Sequence, residues 1–374
     1  MAATISVRRC PDRVMVPATQ HPTAAASAFV APDDYAVVVG IDHYAAELPM
    51  LQGCVNDAKL FESWLLDPGG GGLDRDHIAR ICSVNPPNGK PLRDDVEDEI
   101  LQYFRHRMQT GRPRGRRLYL YFAGHGVTPK EPYDEDCGLV MANAVLLALR
   151  SLPGRFAAKR IGRAALFSEI VLFMDCCRQV NGTVVASCGL PDLSDPTQPA
   201  TPRYLYGFAA GWAMTASERM LPHPLDPTKP DLVQGVFTHT VLKGLRTAID
   251  RKRQEVTSAS LKDFVRRAVQ ELLPERDNRR PQIEISDDLI GFGRGICVPV
   301  QVRCGIAGVV VHIQDGIDLS EIDHKSAPDA TGTFPFNLPP ARYVVVAKDS
   351  AGAIVAGPLA IQVLGEPLDC LHRV

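Results

Sequence analysis

Residues 169–177, "EIVLFMDCC", stay apolar without alternation until an acid and two cysteines close the run. A strand apolar at nearly every position is one buried on both faces, the habit of a parallel sheet covered by helices. Successive side chains on a strand point to opposite faces, so Cys176 and Cys177 can hardly share one task. One of them is expected to pack and the other to do chemistry.

Upstream of this strand, "YAVVVGI" (35–41), "HIARICSV" (77–84) and "RRLYLYFAG" (116–124) read as further strands, and "CGLVMA" (137–142) as a short extended piece. Between them, "VNDAKLFESWLL" (55–66) spaces Val55, Ala58, Phe61, Leu65 and Leu66 along one helical face and stops at "GGGG" (69–72). A second helix is expected over 93–108, "RDDVEDEILQYFRHRM", which opens on aspartates and carries Val96, Ile100, Tyr103 and Phe104. Strands alternating with helices predict an α/β fold with a mostly parallel sheet.

Downstream, residues 183–205 are rich in Pro, Ser, Thr and Asp and read as an exposed connection. A strand at 205–216, helices near 235–249 and 259–273 and a last strand at 282–286 follow. From about residue 296 the texture changes to short strands split by Gly, Pro and Asp turns, as in "VPVQVRC", "AGVVVHIQDG" and "PLAIQVLG". That texture predicts a small C-terminal β-sandwich. The expected organisation is a disordered tail over 1–33, an α/β domain over 34–293 and the sandwich over 294–374.

Forty-one Lys and Arg against 43 Asp and Glu leave a net charge of −2, which argues against an electrostatic grip on nucleic acid or an anionic membrane. The 10 cysteines show no CxxC pair and read as reduced thiols of a cytoplasmic protein. Arg, Asp and Pro break the first 32 residues, so neither a signal peptide nor a membrane anchor is expected there.

Open parallel sheets build their sites beyond the carboxyl ends of strands. Two strand ends carry reactive groups: Ala123-Gly124-His125-Gly126 and Asp175-Cys176-Cys177. A histidine beside a cysteine raises its thiolate fraction, and the glycines flanking His125 allow close backbone approach, with the Gly126 N–H as one oxyanion donor. A vicinal disulfide or a zinc ligand pair is the competing reading of the two thiols, against which stands the lack of partner ligands at metal-site spacing.

These blocks resemble the caspase superfamily, and more closely its metacaspase and prokaryotic caspase-like branch, over about residues 33–290. The resemblance rests on "YAVVVGIDHY", "LQGCVNDAKLFESWL", "YLYFAGHG", "VLFMDCCR" and "GVFTHTVLKGL" (235–245). It implies a caspase-like fold and a cysteine endopeptidase with His125 as general base and acid and Cys177 as nucleophile. Cys176 takes the serine position of the metacaspase motif, and Arg178 and Gln179 depart from that motif. The Gly126 and Cys177 N–H groups would hold the oxyanion.

In this branch Asp57 and Asp175 match the acids of the S1 pocket, and two converging carboxylates favour Arg or Lys at P1 over Asp. Asp57 also reads as an exposed first-turn acid favoured by the helix dipole. "MTASERM" (214–220) resembles the strand that holds the substrate, with Trp212 and Ser217 as contacts, although a core position for Trp212 is the more frequent outcome. No cofactor is needed. Calcium dependence is common in metacaspases, yet Asp134, Glu135 and Asp136 in "YDEDCG" read equally as a solvated loop.

The expected partner is a protein with a basic cleavage site, with gasdermin-like pore formers one target of the wider family in bacterial death or phage defence. Self-cleavage is possible at Arg150, Arg155, Lys159, Arg160, Arg163 and Arg203, which read as lying in loops. An inactive or latent scaffold recruiting a partner through the C-terminal domain is the alternative, and retention of both His125 and Cys177 counts against it.

Overall fold

Continuous apolar runs become the strands of this protein and 3.6-spaced runs its helices. The computed structural model describes residues 5–6, 31–45, 47–128, 136–180, 188–193, 201–226, 228–250, 252–253, 255–273, 280–293, 295, 298–329, 332–338 and 341–363. In chain order the elements begin with β1 (Ile5–Ser6), β2 (Asp34–Gly40), α1 (Cys54–Leu66), β3 (Ile78–Cys82), α2 (Arg93–Thr110), β4 (Gly115–Gly124), β5 (Gly126–Thr128), β6 (Gly138–Val140), β7 (Ser151–Pro153) and α3 (Gly154–Arg163). They continue with β8 (Phe167–Cys176), β9 (Gln179–Val180), β10 (Arg203–Phe208), β11 (Glu218–Leu221), β12 (Leu232–Gly235), α4 (Val236–Thr247), β13 (Ile249–Asp250), β14 (Glu255–Val256), α5 (Ser258–Leu272) and β15 (Gln282–Ile285). The last are β16 (Val298–Cys304), β17 (Val310–Asp315), β18 (Glu321–Lys325), β19 (Phe334–Leu338), β20 (Ala341–Lys348) and β21 (Ile354–Val363).

The chain divides into two units, one of residues 28–248 and 256–293, the other of residues 1–27, 249–255 and 294–374. The first is built on a six-stranded sheet in the order β15-β10-β8-β4-β2-β3. Five strands run parallel and β15 pairs antiparallel at one edge. It is the α/β fold expected, a mostly parallel sheet flanked by helices.

Period-two alternation sorts the sheet's side chains. Val37, Val39, Leu118, Leu120, Phe122, Leu172, Met174 and Cys176 share one core with Val96, Ile100 and Phe104 of α2 and Ala157, Ala158 and Ile161 of α3. On the opposite face, Tyr121 stacks on Phe61 of α1 at 4.6 Å, and Phe173 packs edge-on against Phe61 and Phe237 of α4. Asp175 follows Phe173 by two residues and therefore belongs to this second face.

Three helices start without a capping side chain of their own: Gly53, Pro153 and Gly235 occupy the N-cap positions of α1, α3 and α4. Buried aspartates from elsewhere satisfy the orphan N–H groups instead. Asp42 accepts from Cys54 at 2.8 Å and Val55 at 3.2 Å; Asp136 accepts from Arg155 and Phe156, both at 2.8 Å. Asp175 accepts from the Thr238 N–H at 3.0 Å and its hydroxyl at 2.6 Å. Each carboxylate also sits where the helix dipole favours negative charge.

These contacts correct several expectations. Helix α3 occupies residues read as loop, so Arg155, Lys159, Arg160 and Arg163 are helical, and buried Arg155 pairs with Glu284. Arg203 opens β10 and pairs with Glu169, leaving Arg150 as the one loop position of that set. Asp136 is a buried cap rather than a solvated loop acid; Asp134 and Glu135 lie outside the described residues. The strand expected over 205–216 ends at Phe208, and residues 218–221 and 232–235 form an antiparallel hairpin that was not anticipated.

Within the connection, residues 188–193 are not wholly exposed: Leu190 is buried in the α2 core and the Gly189 N–H donates to Glu97 at 2.7 Å. Residues 181–187 and 194–200 lie outside the described residues. Buried Arg117 reaches Glu169 and the Tyr119 hydroxyl across the start of β4 at 2.6 and 2.7 Å, a charge cluster that the sequence did not announce.

In the second unit, a three-stranded sheet (β1-β16-β19) and a four-stranded sheet (β18-β17-β20-β21) supply one core from Val300, Val302, Val311, Ile313, Phe334, Phe336, Tyr343 and Val345. The inward residues alternate along β17 and β19, as a sandwich requires. Ile5–Ser6 pairs with Arg303 and Cys304, so the tail expected over 1–33 is not uniformly disordered. Ala31, also in that range, is buried with its N–H on the Gly72 carbonyl at 3.0 Å.

Candidate active site

Gly124 and Cys176 are register partners at the ends of β4 and β8. The next residues are His125 and Cys177, which puts an imidazole and a thiol on neighbouring strand ends at the carboxyl rim. Alternation decides between the cysteines. Cys176 is buried, its thiol donates to the Phe122 carbonyl at 3.5 Å, and burial holds it protonated well above the usual thiol range. Cys177 is half-buried, and the Ala216 N–H donates to its sulfur at 3.3 Å. An N–H aimed at the sulfur is a donor of the kind that steadies a thiolate. Neither cysteine is in a disulfide.

His125 is held on several sides. Its N–H donates to the Tyr44 hydroxyl at 2.8 Å, its carbonyl accepts from Val140 at 2.9 Å, and its ring leans on the Tyr44 ring at 4.8 Å. Its Nε2 lies 2.8 Å from the Pro49 carbonyl oxygen. A carbonyl only accepts, so Nε2 carries the hydrogen; in the neutral ring Nδ1 is then the base.

Gly126 is a steric requirement. A Cβ there would fall 2.0 Å from the Cys177 carbonyl oxygen and 2.6 Å from the Cys176 Cβ. Because Val140 donates to His125, the Gly126–Leu139 pair is the widely spaced kind, and the Gly126 N–H points out of the β5–β6 ladder.

Asp57 and Asp175, one on α1 and one on β8, converge on Gly235. The Gly235 N–H donates to both Asp57 oxygens at 3.1 and 2.9 Å. Asp57 is thus buried, not the exposed first-turn acid of the competing reading. Burial, then the neighbouring Asp175 charge, pushes the Asp57 carboxyl well up. Burial likewise raises Asp175, to about 6, against the pull of its Thr238 bonds.

Ser217 is half-buried just before β11 and lines a cleft with Ala209, Thr215, Ala216, Val236 and Phe237. Its carbonyl accepts from Val236 at 2.9 Å. Trp212 sits on a turn and is 42% exposed, outside the core. The segment between them lies along the thiol, with the Arg178 N–H on the Met214 carbonyl at 2.7 Å.

A family model described as a caspase domain matches residues 33–287. The chain belongs to the caspase domain family. A protein named "probable protease" from a Desulfuromonadales bacterium is 25% identical over 229 residues, covering 57% of this chain and 26% of that protein. The chain thus spans about a quarter of that relative's length. The crystal structure of caspase-1 from Spodoptera frugiperda overlaps 76% of this chain and 98% of its own, with 12% identity and a TM-score of 0.44, too loose to add weight.

Two contributors to this caspase domain's candidate site went unread in the sequence. The Pro49 carbonyl had no signal, since any residue supplies a carbonyl. Glu218 accepts from the Gln52 and Gly53 N–H groups at 3.2 and 3.0 Å and from the Cys54 thiol at 3.2 Å. It adds a third carboxylate beside Asp57 and Asp175, and its charge helps raise both. Its place after "TAS" in the segment read as substrate-binding could have marked it.

Among the described residues no helix is long and apolar enough to cross a membrane.

Proposed function

We propose that this chain is a cysteine endopeptidase that cleaves proteins after Arg or Lys. The observation that carries the reading is the convergence of Asp57 and Asp175 on Gly235, on the sheet face that Asp175 shares with Phe173 and one residue removed from the Cys176–Cys177 pair. Buried carboxylates without a cation nearby are costly, and a guanidinium or ammonium at P1 is a ligand that would relieve them.

Nδ1 of His125 takes the Cys177 proton as the sulfur attacks the carbonyl carbon after the basic residue. The Gly126 and Cys177 N–H groups bind the oxyanion, and protonated His125 gives its proton to the leaving amine as the C–N bond breaks. Water then attacks the thioester, with His125 as base, and the acid product and thiol are released. Trp212 and Ser217 would line the path of the extended substrate. No cofactor enters these steps. A gasdermin-like pore former in a bacterial cytoplasm enters as a substrate only through the family resemblance.

The test is hydrolysis of fluorogenic peptides differing only at P1, Arg against Asp, by the native chain and Cys177→Ala, with and without calcium. Arg cleavage lost in the variant supports the proposal. Preference for Asp overturns the role of the two acids, and activity surviving in the variant overturns that of Cys177.

A further inference from the structure

The second unit carries a cluster of titratable side chains that the proposed cleavage does not use. β17 and β18 pair antiparallel, and His312 stands directly opposite His324. The two imidazoles face each other with ring centroids 5.6 Å apart and planes at 31°. Glu321 lies between them, one oxygen 2.6 Å from Nδ1 of His312 and the other 3.0 Å from Nδ1 of His324.

Strand parity alone would not assemble this trio. Glu321 and His324 are three residues apart, an odd step that on a regular strand sends side chains to opposite faces. Here the register slips between Ile313 and Gln314: Ile313 faces Asp323, whereas Gln314 faces Glu321 and skips Ile322. The extra residue is a bulge, a device that re-aims side chains, and it returns Glu321 to the face of the two histidines. Ile322, the skipped residue, packs against the sandwich core.

We propose that His312, Glu321 and His324 form a binding site for a divalent transition-metal ion, with zinc the ion that suits them best. Their ligand atoms all lie within 4.8 Å of one another. A tetrahedral zinc with bonds of 2.0–2.1 Å needs ligand atoms roughly 3.3 Å apart, within reach of small side-chain rotations. Two imidazole nitrogens and one carboxylate favour zinc over calcium or magnesium, which seek oxygen-only shells. Three protein ligands leave a fourth position for water. To bind, each ring adopts the tautomer with hydrogen on Nε2, and Nδ1 exchanges its hydrogen bond with Glu321 for a bond to the metal.

Position suggests what the ion does. Among the described residues β18 is an edge strand of its sheet with β17 as its one strand partner, and the three ligands straddle that pairing. A bound ion would clip the edge strand in place.

A second trio, Asp42, Cys54 and Glu218, lies as close together. Its carboxylates already accept the N–H groups at the start of α1, and burial holds the Cys54 thiol protonated. It carries no such proposal.

The experiment is titration of the full reduced chain with cobalt(II), followed by zinc competition, in the native protein, His324→Ala and Glu321→Gln. One equivalent of cobalt is expected, with visible d–d absorption, no thiolate-to-metal charge transfer, and displacement by zinc. Loss of a supporting outer partner costs roughly 10–100-fold in affinity, so loss of a ligand in His324→Ala should cost at least that much. Zinc should raise the native melting temperature and leave that of His324→Ala unchanged. His324 and Glu321 are exposed enough for both variants to fold, which melting without metal verifies. Absence of binding, equal binding by the variants, or a thiolate charge-transfer band as the sole signal each overturns the proposal.

Discussion

Asp57 and Asp175 meet at Gly235, where the backbone N–H serves one carboxylate and the missing Cβ leaves room for the other. A Cβ at that position would lie 2.0 Å from Asp175 Oδ2 and 3.0 Å from Asp57 Oδ2. Gly235→Ala should therefore cost about 1–3 kcal/mol through overpacking, read from urea denaturation, and reduce peptidase activity more than the lost folded fraction explains. A variant as stable and active as the native chain would contradict the close approach.

The raised Asp175 carboxyl predicts a pH dependence of stability. Its folded value of about 6 exceeds the unfolded value near 3.8, so between those values the folded chain keeps a proton that the unfolded chain has released. That contribution is fully present below pH about 4, falls as pH rises through about 6, and is flat above. Asp57 acts in the same direction. His239, pushed down to about 4 by burial, acts in the opposite sense over an overlapping range. The measurement is therefore the difference between native chain and Asp175→Asn in urea midpoints from pH 4 to 7. The native chain should lose stability relative to the variant, on the order of 3 kcal/mol across the window.

The two adjacent cysteines should separate in function. Cys176→Ala should leave kcat/KM within about threefold and cost about 1–2 kcal/mol of stability, because it empties a packed site. Cys177→Ala should abolish turnover with little change in melting temperature, and His125→Ala should lower kcat/KM about 10²–10⁴-fold. Brief alkylation of the folded chain, read by peptide mass, should label Cys177 and spare Cys176. Equal labelling would show that alternation does not separate them.

Arg117 makes a prediction about stability alone. Its guanidinium is buried beside Glu169 and Asp34, both buried. Arg117→Leu removes their buried cation, leaving Asp34 to Arg116 and Glu169 to Arg203, and should cost about 1–3 kcal/mol, measured by urea unfolding, while the activity of the folded fraction is unchanged.

What the sequence made legible were features with local periodicity. β8 declared itself by continuous apolarity, α1 and α2 by their spacing, and the sandwich by alternation between turns. Helix α3 escaped because Pro153 occupies its N-cap and the cap comes from Asp136, 17 residues upstream of Pro153 in a different segment. The spacing of Ala157, Ala158 and Ile161 was the available signal, hidden among the four basic residues Arg155, Lys159, Arg160 and Arg163. The pairing of Ile5 with Cys304 spans the chain and has no local sign at all.

The site divides in the same way. His125 and the Cys176–Cys177 pair are legible by residue type at strand ends, whereas Asp57, Asp175 and the choice of Cys177 rest on the resemblance to the caspase superfamily. The Pro49 carbonyl is a main-chain group, and what selects it is the path of the loop before α1. Glu218 required the folding of a hairpin that local pattern did not reveal.

The borrowed caps of α1, α3 and α4 tie together segments that hydrogen exchange would otherwise probe separately. The amides of Cys54, Arg155 and Thr238 stop exchanging only when a distant carboxylate has arrived, 12, 19 and 63 residues away along the chain. Their slow exchange would thus report whole-unit closure rather than helix formation. Of the three, Thr238 depends on Asp175, two residues before Cys177, so the first turn of α4 and the carboxyl end of β8 open and close as one cooperative unit.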